Sequence, residues 1–138
     1  MKGPVIVDTG PLVALINRRE RDHEWVREQW GRIVAPLVTC EAVVSEGCFL
    51  LQGVDGGVAA LTQLFERGVV RIAFNLADEL LAISRLLKRY HSVPMSLADA
   101  CLVRMAEHFS TASVLTLDSD FGIYRKNGRT VIPRLMPR

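Results

Sequence analysis

The 138-residue chain lacks the features that mark secreted, membrane-spanning and zinc-thiolate proteins. Its three cysteines, Cys40, Cys48 and Cys101, are an odd number without Cys-x-x-Cys spacing, which argues against a disulfide framework and a zinc site. No uncharged run approaches the roughly 18 residues of a membrane-spanning helix. Asp8 interrupts the apolar N-terminal run that a signal peptide would need. These absences predict a soluble, cytoplasmic protein that makes no contact with a membrane.

Internal repeats, low-complexity tracts and linkers are also missing, so the sequence predicts a single domain over residues 1–138. Apolar residues form 49% of the chain and charged residues 23%, which excludes a disordered composition and allows a substantial hydrophobic core. The net charge of +2 is too small to indicate a partner. Composition alone favours solvated faces over phosphate-binding patches for the arginine and lysine clusters.

Short β-branched runs alternate with amphipathic segments along the whole chain. Strands are predicted at about 5–7, 37–39, 69–74, 113–117 and 130–133. Helices are predicted at about 11–17, from 22 onward, and at 40–52, 57–67, 75–90 and 96–109, with a short helix at 121–126. This alternation is typical of an α/β domain with a mostly parallel sheet of about five short strands, covered on both faces.

Carboxylates fall where two of the predicted strands end. Asp8 directly follows the first strand, and Asp118 directly follows the fourth, with Asp120 two residues later. Asp99 lies in the first turn of the helix that leads into the fourth strand. Because ligands of α/β sheets bind beyond the carboxyl ends of the strands, we expect these acids to lie together. Each acid alone also has a plain structural explanation, as a turn or cap residue.

Glu46 lies inside a predicted helix. We expect its carboxylate on a buried face, where an unpaired charge is costly. Glu41, five residues earlier, is about 140° away around the helix and cannot face the same cluster. The residues three and four positions from Glu46 are all apolar: Ala42, Val43, Phe49 and Leu50.

Four carboxylates at one sheet edge repel one another, so protons or a cation must compensate their charge. A site made of carboxylates, without histidine or cysteine, suits a hard cation. The sequence therefore predicts a Mg²⁺ or Mn²⁺ site.

Four segments resemble the acidic motifs of the PIN-domain family in order and spacing: VIVDTGPLVAL, VVSEGCFLL, SLADACLVRMAE and VLTLDSDF. The resemblance covers nearly the whole chain and implies a three-layer α/β/α sandwich. It assigns catalysis and metal binding to four acids, with Asp120 as a weaker metal ligand. Those acids are Asp8, Glu46, Asp99 and Asp118.

The same resemblance implies a divalent-metal-dependent endoribonuclease that cleaves single-stranded RNA. The length and layout resemble the toxin of VapBC-type toxin–antitoxin pairs, so an antitoxin partner and a homodimer are expected. Thr9 and Thr116 match small polar positions of the family, whereas Gly10 stands where many relatives carry Ser or Asn. The candidate RNA contacts are Thr9, Thr116, Arg18, Arg19, Arg125 and Lys126.

Other readings of the motifs are weaker. Asp8-Thr9-Gly10 also resembles an aspartic-protease signature, but the helical periodicity of residues 77–109 does not suit that mostly β fold. A haloacid dehalogenase phosphatase needs an aspartate at position 10, which is glycine. A response regulator needs an early acidic pair and a late lysine. A PIN-like nuclease without a toxin role, or a PIN-like interaction module without catalysis, remains open. The stripe of Leu76, Leu80, Ile83 and Leu87 is expected to be ordinary core.

Overall fold

Five short strands form a parallel sheet at the centre of the computed structural model, which describes residues 3–137. They are β1 (Val5–Val7), β2 (Leu37–Thr39), β3 (Val70–Ile72), β4 (Ser113–Leu115) and β7 (Arg134–Leu135). Their order across the sheet is β3-β2-β1-β4-β7, and every neighbouring pair is parallel. The predicted α/β class and mostly parallel sheet are confirmed.

Strand β1 is central because all three of its residues are β-branched and can be buried on both faces. Ile6 pairs with Val38 of β2 on one side and with Val114 of β4 on the other. This placement brings the residues that follow β1 and β4 to the same edge of the sheet.

Helices flank the sheet in the expected sandwich. They are α1 (Thr9–Ile16), α2 (His23–Arg32), α3 (Glu41–Leu50), α4 (Gly57–Glu66), α5 (Leu80–Arg89) and α6 (Leu97–His108). Helices α1 to α4 pack among themselves, and α5 packs against α6. The longest, α6, has 12 residues, and no helix in the described part of the chain has the length and hydropathy needed to cross a bilayer.

Side-chain caps mark the starts of α1 and α6. The Asp8 side chain accepts a hydrogen bond from the Thr9 amide, so α1 begins two residues earlier than predicted. Pro11 then lies within the first turn, where its missing N–H group costs no hydrogen bond. Ser96 caps α6 by accepting from the Asp99 amide at 3.0 Å, as the capping pattern predicted.

The C-terminal prediction was wrong in two places. Residues 121–126 do not form a helix: a 3₁₀ turn (Ser119–Gly122) is followed by β5 (Arg125–Lys126), which pairs antiparallel with β6 (Thr130–Val131). The predicted fifth strand at 130–133 therefore belongs mostly to this hairpin, and β7 supplies the fifth strand of the main sheet. Asn127 and Gly128 reverse the chain with φ values of 52° and 80°, which favours a hairpin over a helix.

The apolar stripe on α5 is not ordinary core along its whole length. Ile83 is buried, but the Leu80 side chain is 59% exposed, and Leu97 at the start of α6 is 44% exposed beside it. Together with Leu76 and Leu87 these residues line an open groove, named here the α5 groove. Residues 3–137 do not cover the groove, which is why the core prediction failed at Leu80.

Candidate active site

An open cavity of about 620 Å³ lies at the carboxyl edge of the sheet and is named here the acid cavity. It brings together all five acids that the sequence singled out: Asp8, Glu46, Asp99, Asp118 and Asp120. Its other lining residues include Thr9, Gly10 and Ser96, and none of its lining residues within 3–137 is a lysine or an arginine. The cavity is therefore a concentration of negative charge without a neighbouring basic side chain.

Asp8 is the most deeply buried acid of the cavity, with 7% of its surface exposed. Its Oδ1 accepts from the Thr9 amide and its Oδ2 from the Thr116 hydroxyl, both at 2.8 Å. Burial raises the pKa of Asp8 from 3.8 to about 7, in spite of these two hydrogen bonds, and the charges of Asp99 and Asp118 add to the rise. Asp8 thus holds a proton more tightly than an ordinary carboxylate.

Thr116 connects the acids that follow β1 and β4. Its buried hydroxyl donates to Asp8 and accepts from the Asp118 amide at 2.9 Å. Asp118 in turn caps the 3₁₀ turn, because its Oδ1 accepts from the Asp120 amide at 2.9 Å. Asp8 and Asp118 can therefore cap a turn and also serve the cavity, because a carboxylate has two oxygens and can accept more than one contact.

Asp99 reaches the cavity from the first turn of α6. Its Oδ2 accepts a hydrogen bond of 2.8 Å from the hydroxyl of Tyr124, which is fully buried. Burial raises the pKa of Asp99, the Tyr124 hydrogen bond opposes the rise, and the Asp118 charge adds to it. Sequence reasoning missed Tyr124, and no local pattern reveals it, because the contact joins residues 25 positions apart.

Glu46 lies at the cavity, but the argument that placed it on a buried face was wrong. Its side chain is exposed, as are Phe49 (69%) and Leu50 (51%) on the same side of α3. An apolar face predicts burial only when another element covers it, and no part of residues 3–137 covers these two side chains. Glu41 is exposed and does not line the cavity.

Thr9 contributes a buried hydroxyl whose Oγ1 has no hydrogen-bond partner among the described residues. Buried polar atoms are rarely left without a partner, so this one marks a position where a ligand or water belongs.

The four basic candidates do not line the acid cavity. Arg18 and Arg19 are exposed just beyond α1. The Arg125 guanidinium donates to the carbonyl of Gly122 at 2.7 Å, and Lys126 Nζ donates to the carbonyl of Ser110 at 2.9 Å. Both groups hold backbone in place, and RNA contact by any of the four stays a prediction.

The donor chemistry of the cavity fits a hard divalent cation. Its ionisable side chains are all carboxylates, and the burial of Asp8 leaves negative charge that a cation would compensate. As the side chains stand, however, no group of three histidine, cysteine, aspartate or glutamate residues within 3–137 is arranged to hold a metal ion. The cavity therefore holds carboxylate oxygens suited to a divalent cation, but their side chains are not placed to coordinate one ion as they stand.

A parallel α/β sandwich with acids at the carboxyl edge of the sheet is the architecture of a PIN domain. Residues 5–127 match the model of the PIN domain family, and the chain belongs to that family. The resemblance seen in the four acidic motifs is thereby confirmed.

Among curated proteins, the chain is 33% identical over 136 residues to Ribonuclease VapC26 of Mycobacterium tuberculosis (strain ATCC 25618 / H37Rv), covering 94% of this chain and all of the relative. Among solved structures, it resembles Mycobacterium tuberculosis VapC20, described as a Sarcin-Ricin loop cleaving toxin, with a TM-score of 0.78. That alignment covers 86% of this chain and 93% of VapC20 at 21% identity, so it supports the fold alone.

Proposed function

We propose that the chain is a divalent-metal-dependent endoribonuclease that cleaves single-stranded RNA, and the toxin of a VapBC-type toxin–antitoxin pair. The observation that carries this proposal is the convergence of Asp8, Asp99 and Asp118 in one open cavity. The full-length similarity to a VapC ribonuclease supports the same activity. As a toxin-type ribonuclease, the protein would act in the cytoplasm as a single domain of residues 1–138.

Asp8, Asp99 and Asp118 are the residues that would hold Mg²⁺ or Mn²⁺, with Asp120 as a weaker additional ligand. When bound, the ion supplies charge neutralisation at the phosphodiester and a lowered pKa for a bound water. Through its two hydrogen bonds, Thr116 ties the Asp8 carboxylate to the backbone amide of Asp118.

Two polar side chains of the cavity are assigned roles toward the substrate. Glu46, on the exposed side of the cavity, accepts the proton of the attacking water, a role suited to a carboxylate that the solvent can reach. The Thr9 hydroxyl donates a hydrogen bond to a phosphate oxygen, which gives this buried group the partner that the described residues do not provide.

Single-stranded RNA is the substrate class that the resemblance of the acidic motifs implies. The cavity is open and none of its lining residues within 3–137 is aromatic, so selection by RNA shape and strandedness is expected rather than a base code. Exposed arginines outside the cavity, such as Arg18 and Arg19, are candidate contacts for the flanking phosphates.

The test is cleavage of a mixed single-stranded RNA pool by the purified protein with Mn²⁺, with Mg²⁺ and with EDTA. The Asp99→Asn and Asp118→Asn variants should lose cleavage, whereas Asp55→Asn, which changes an exposed acid outside the cavity, should keep it. Absence of both cleavage and a Mn²⁺-induced rise in melting temperature would contradict the proposal. That outcome would favour a PIN-like interaction module without catalysis.

The toxin role has its own test, because a PIN-like RNA-processing nuclease would show the same cleavage. Expression of the wild-type chain should arrest growth, the Asp118→Asn variant should not, and a co-expressed antitoxin should relieve the arrest. Cleavage in vitro without growth arrest would indicate a processing nuclease.

A homodimer is proposed through the α5 groove, because exposed leucines such as Leu80 and Leu97 line a continuous apolar surface there. Light scattering of the purified protein should give twice the monomer mass. Leu80→Glu should reduce that mass to the monomer value without loss of the folded state. A wild-type monomer, or a Leu80→Glu dimer, would contradict the choice of this surface.

A further inference from the structure

The acids of the cavity differ in how their carboxylates are held. Asp8 accepts from the Thr9 amide and the Thr116 hydroxyl, and Asp118 accepts from the Asp120 amide. These donors lie in the same turns or on the neighbouring strand. Asp99 lies in the first turn of α6, where its backbone amide donates to the Ser96 hydroxyl. The Asp99 carboxylate is held by Ser96, at the cap of the same helix, and by a hydrogen bond of 2.8 Å from Tyr124, which lies 25 positions further along the chain.

The Tyr124 ring has no freedom to move its hydroxyl elsewhere. It is fully buried and packs edge-on against Tyr90, with ring centroids 5.1 Å apart, and against Phe121, with centroids 5.2 Å apart. The Tyr90 hydroxyl accepts from the Arg125 amide at 3.0 Å, which ties the cluster to the segment after the 3₁₀ turn. Since a tightly packed ring directs its hydroxyl in one direction, the donor is presented to Asp99 in a fixed geometry.

We infer that Tyr124 is a positioning residue of the acid cavity, which fixes the Asp99 carboxylate for cation binding. The inference rests on the proposed function. The Tyr124 hydroxyl holds Oδ2 of Asp99 and so restricts the orientation in which the carboxylate can meet an ion. Without this bond the Asp99 side chain would be less well ordered before the cation binds, which lowers the affinity.

The segment that carries Tyr124 also carries Asp118 and Asp120, which lie in the 3₁₀ turn and its cap a few residues after β4. The hydrogen bond therefore joins α6 to this segment. It supplies an alignment between acids of two separate elements, in the same way that Thr116 aligns the acids after β1 and β4.

The test compares Tyr124→Phe with Tyr90→Phe in the full-length protein. Each variant removes one hydroxyl from the same buried aromatic cluster, but only Tyr124 contacts an acid of the cavity. Titration calorimetry with Mn²⁺ measures the Kd, and RNA cleavage is followed as a function of Mn²⁺ concentration. The melting temperature of the metal-free protein reports on folding in both variants.

Tyr124→Phe should raise the Kd for Mn²⁺ by about tenfold or more, the usual effect of removing a group that orients a metal ligand. The Mn²⁺ concentration for half-maximal cleavage should rise by a similar factor, while the cleavage rate at saturating Mn²⁺ changes little. Tyr90→Phe should leave both the Kd and the half-maximal concentration close to the wild-type values.

An unchanged Kd in Tyr124→Phe, or an equal rise in Tyr90→Phe, would overturn the inference. Tyr124 would then serve only the packing of the cluster, and both variants would show a lower melting temperature without an effect on Mn²⁺. A wild-type protein that neither binds Mn²⁺ nor cleaves RNA would instead refute the proposed function itself, and with it this inference.

Discussion

Replacing Asp8 with Asn tests how much the buried negative charge of Asp8 destabilises the metal-free protein. Burial raises the pKa of Asp8 from 3.8 to about 7. Each pKa unit corresponds to roughly 1.4 kcal/mol, so ionised Asp8 costs the metal-free fold about 4 kcal/mol at pH 8. Asn has no charge to bury, and it replaces the hydrogen-bonding carboxylate with an amide of nearly the same shape. The loss of one accepted hydrogen bond offsets the gain by about 1 kcal/mol at every pH.

The sign of the pH dependence follows from proton binding. Between about pH 4 and pH 7 the unfolded chain has released the Asp8 proton while the folded chain keeps it. The folded state therefore binds more protons, and the free energy of unfolding falls as the pH rises through this window. The Asn variant lacks this contribution. Its stability relative to wild type should increase by roughly 2–3 kcal/mol between pH 5 and pH 8.

Urea unfolding in EDTA at pH 5, 6.5 and 8 gives the required free energies for wild type, Asp8→Asn and the exposed control Asp55→Asn. Mn²⁺ should stabilise the wild type more at pH 8 than at pH 5, because the cation and the proton compete for the same carboxylates. A stability difference between Asp8→Asn and wild type that stays constant from pH 5 to pH 8 would refute the reasoning. Asp8 would then ionise in the folded protein as it does in water.

Three further variants test separate features. Glu46→Gln should slow cleavage by about a hundredfold if Glu46 is the base, whereas Glu41→Gln should match wild type in initial-rate assays; the reverse order would exclude Glu46. Ser96→Ala should lower the free energy of unfolding by about 1 kcal/mol in urea titrations, through loss of the α6 cap, and an unchanged value would show that the cap is dispensable. Lys126→Met should lower the free energy of unfolding by about 1–3 kcal/mol, because the Lys126 ammonium group donates to the Ser110 carbonyl. The KM for RNA should stay unchanged in this variant, and a raised KM would instead support RNA contact by Lys126.

The sequence predicted the sheet and the convergence of acids because both depend on local patterns. Runs such as Val5–Val7 are β-branched and short, and an acid follows directly, as Asp8 does, or within three residues, as Asp118 does after β4. In a parallel sheet, residues after neighbouring strands must meet at one edge, so the pairing of β1 with β4 brings Asp8 and Asp118 together. No knowledge of tertiary packing is needed for this step.

The predictions of buried helix faces failed, and the Tyr124 contact was missed, because the sequence of one segment does not reveal which other segment packs against it. Phe49 and Leu80 lie on apolar helix faces, yet the described chain leaves both exposed. The bond from Tyr124 to Asp99 depends on the packing of an aromatic cluster and has no sequence signature. The hairpin at residues 125–131 is different, because its turn residues Asn127-Gly128 are a known signal that the helix prediction overlooked.

The hydrogen bond between Asp8 and Thr116 joins residues 108 positions apart, and the central strand receives its β4 neighbour late in the chain. During synthesis Asp8 emerges early, but the hydroxyl that holds its Oδ2 is absent until Thr116 has been added to the chain. Domains fold as units once enough of their chain is available. A fragment that stops before β4 therefore lacks both the hydroxyl and the neighbouring strand that complete the surroundings of Asp8.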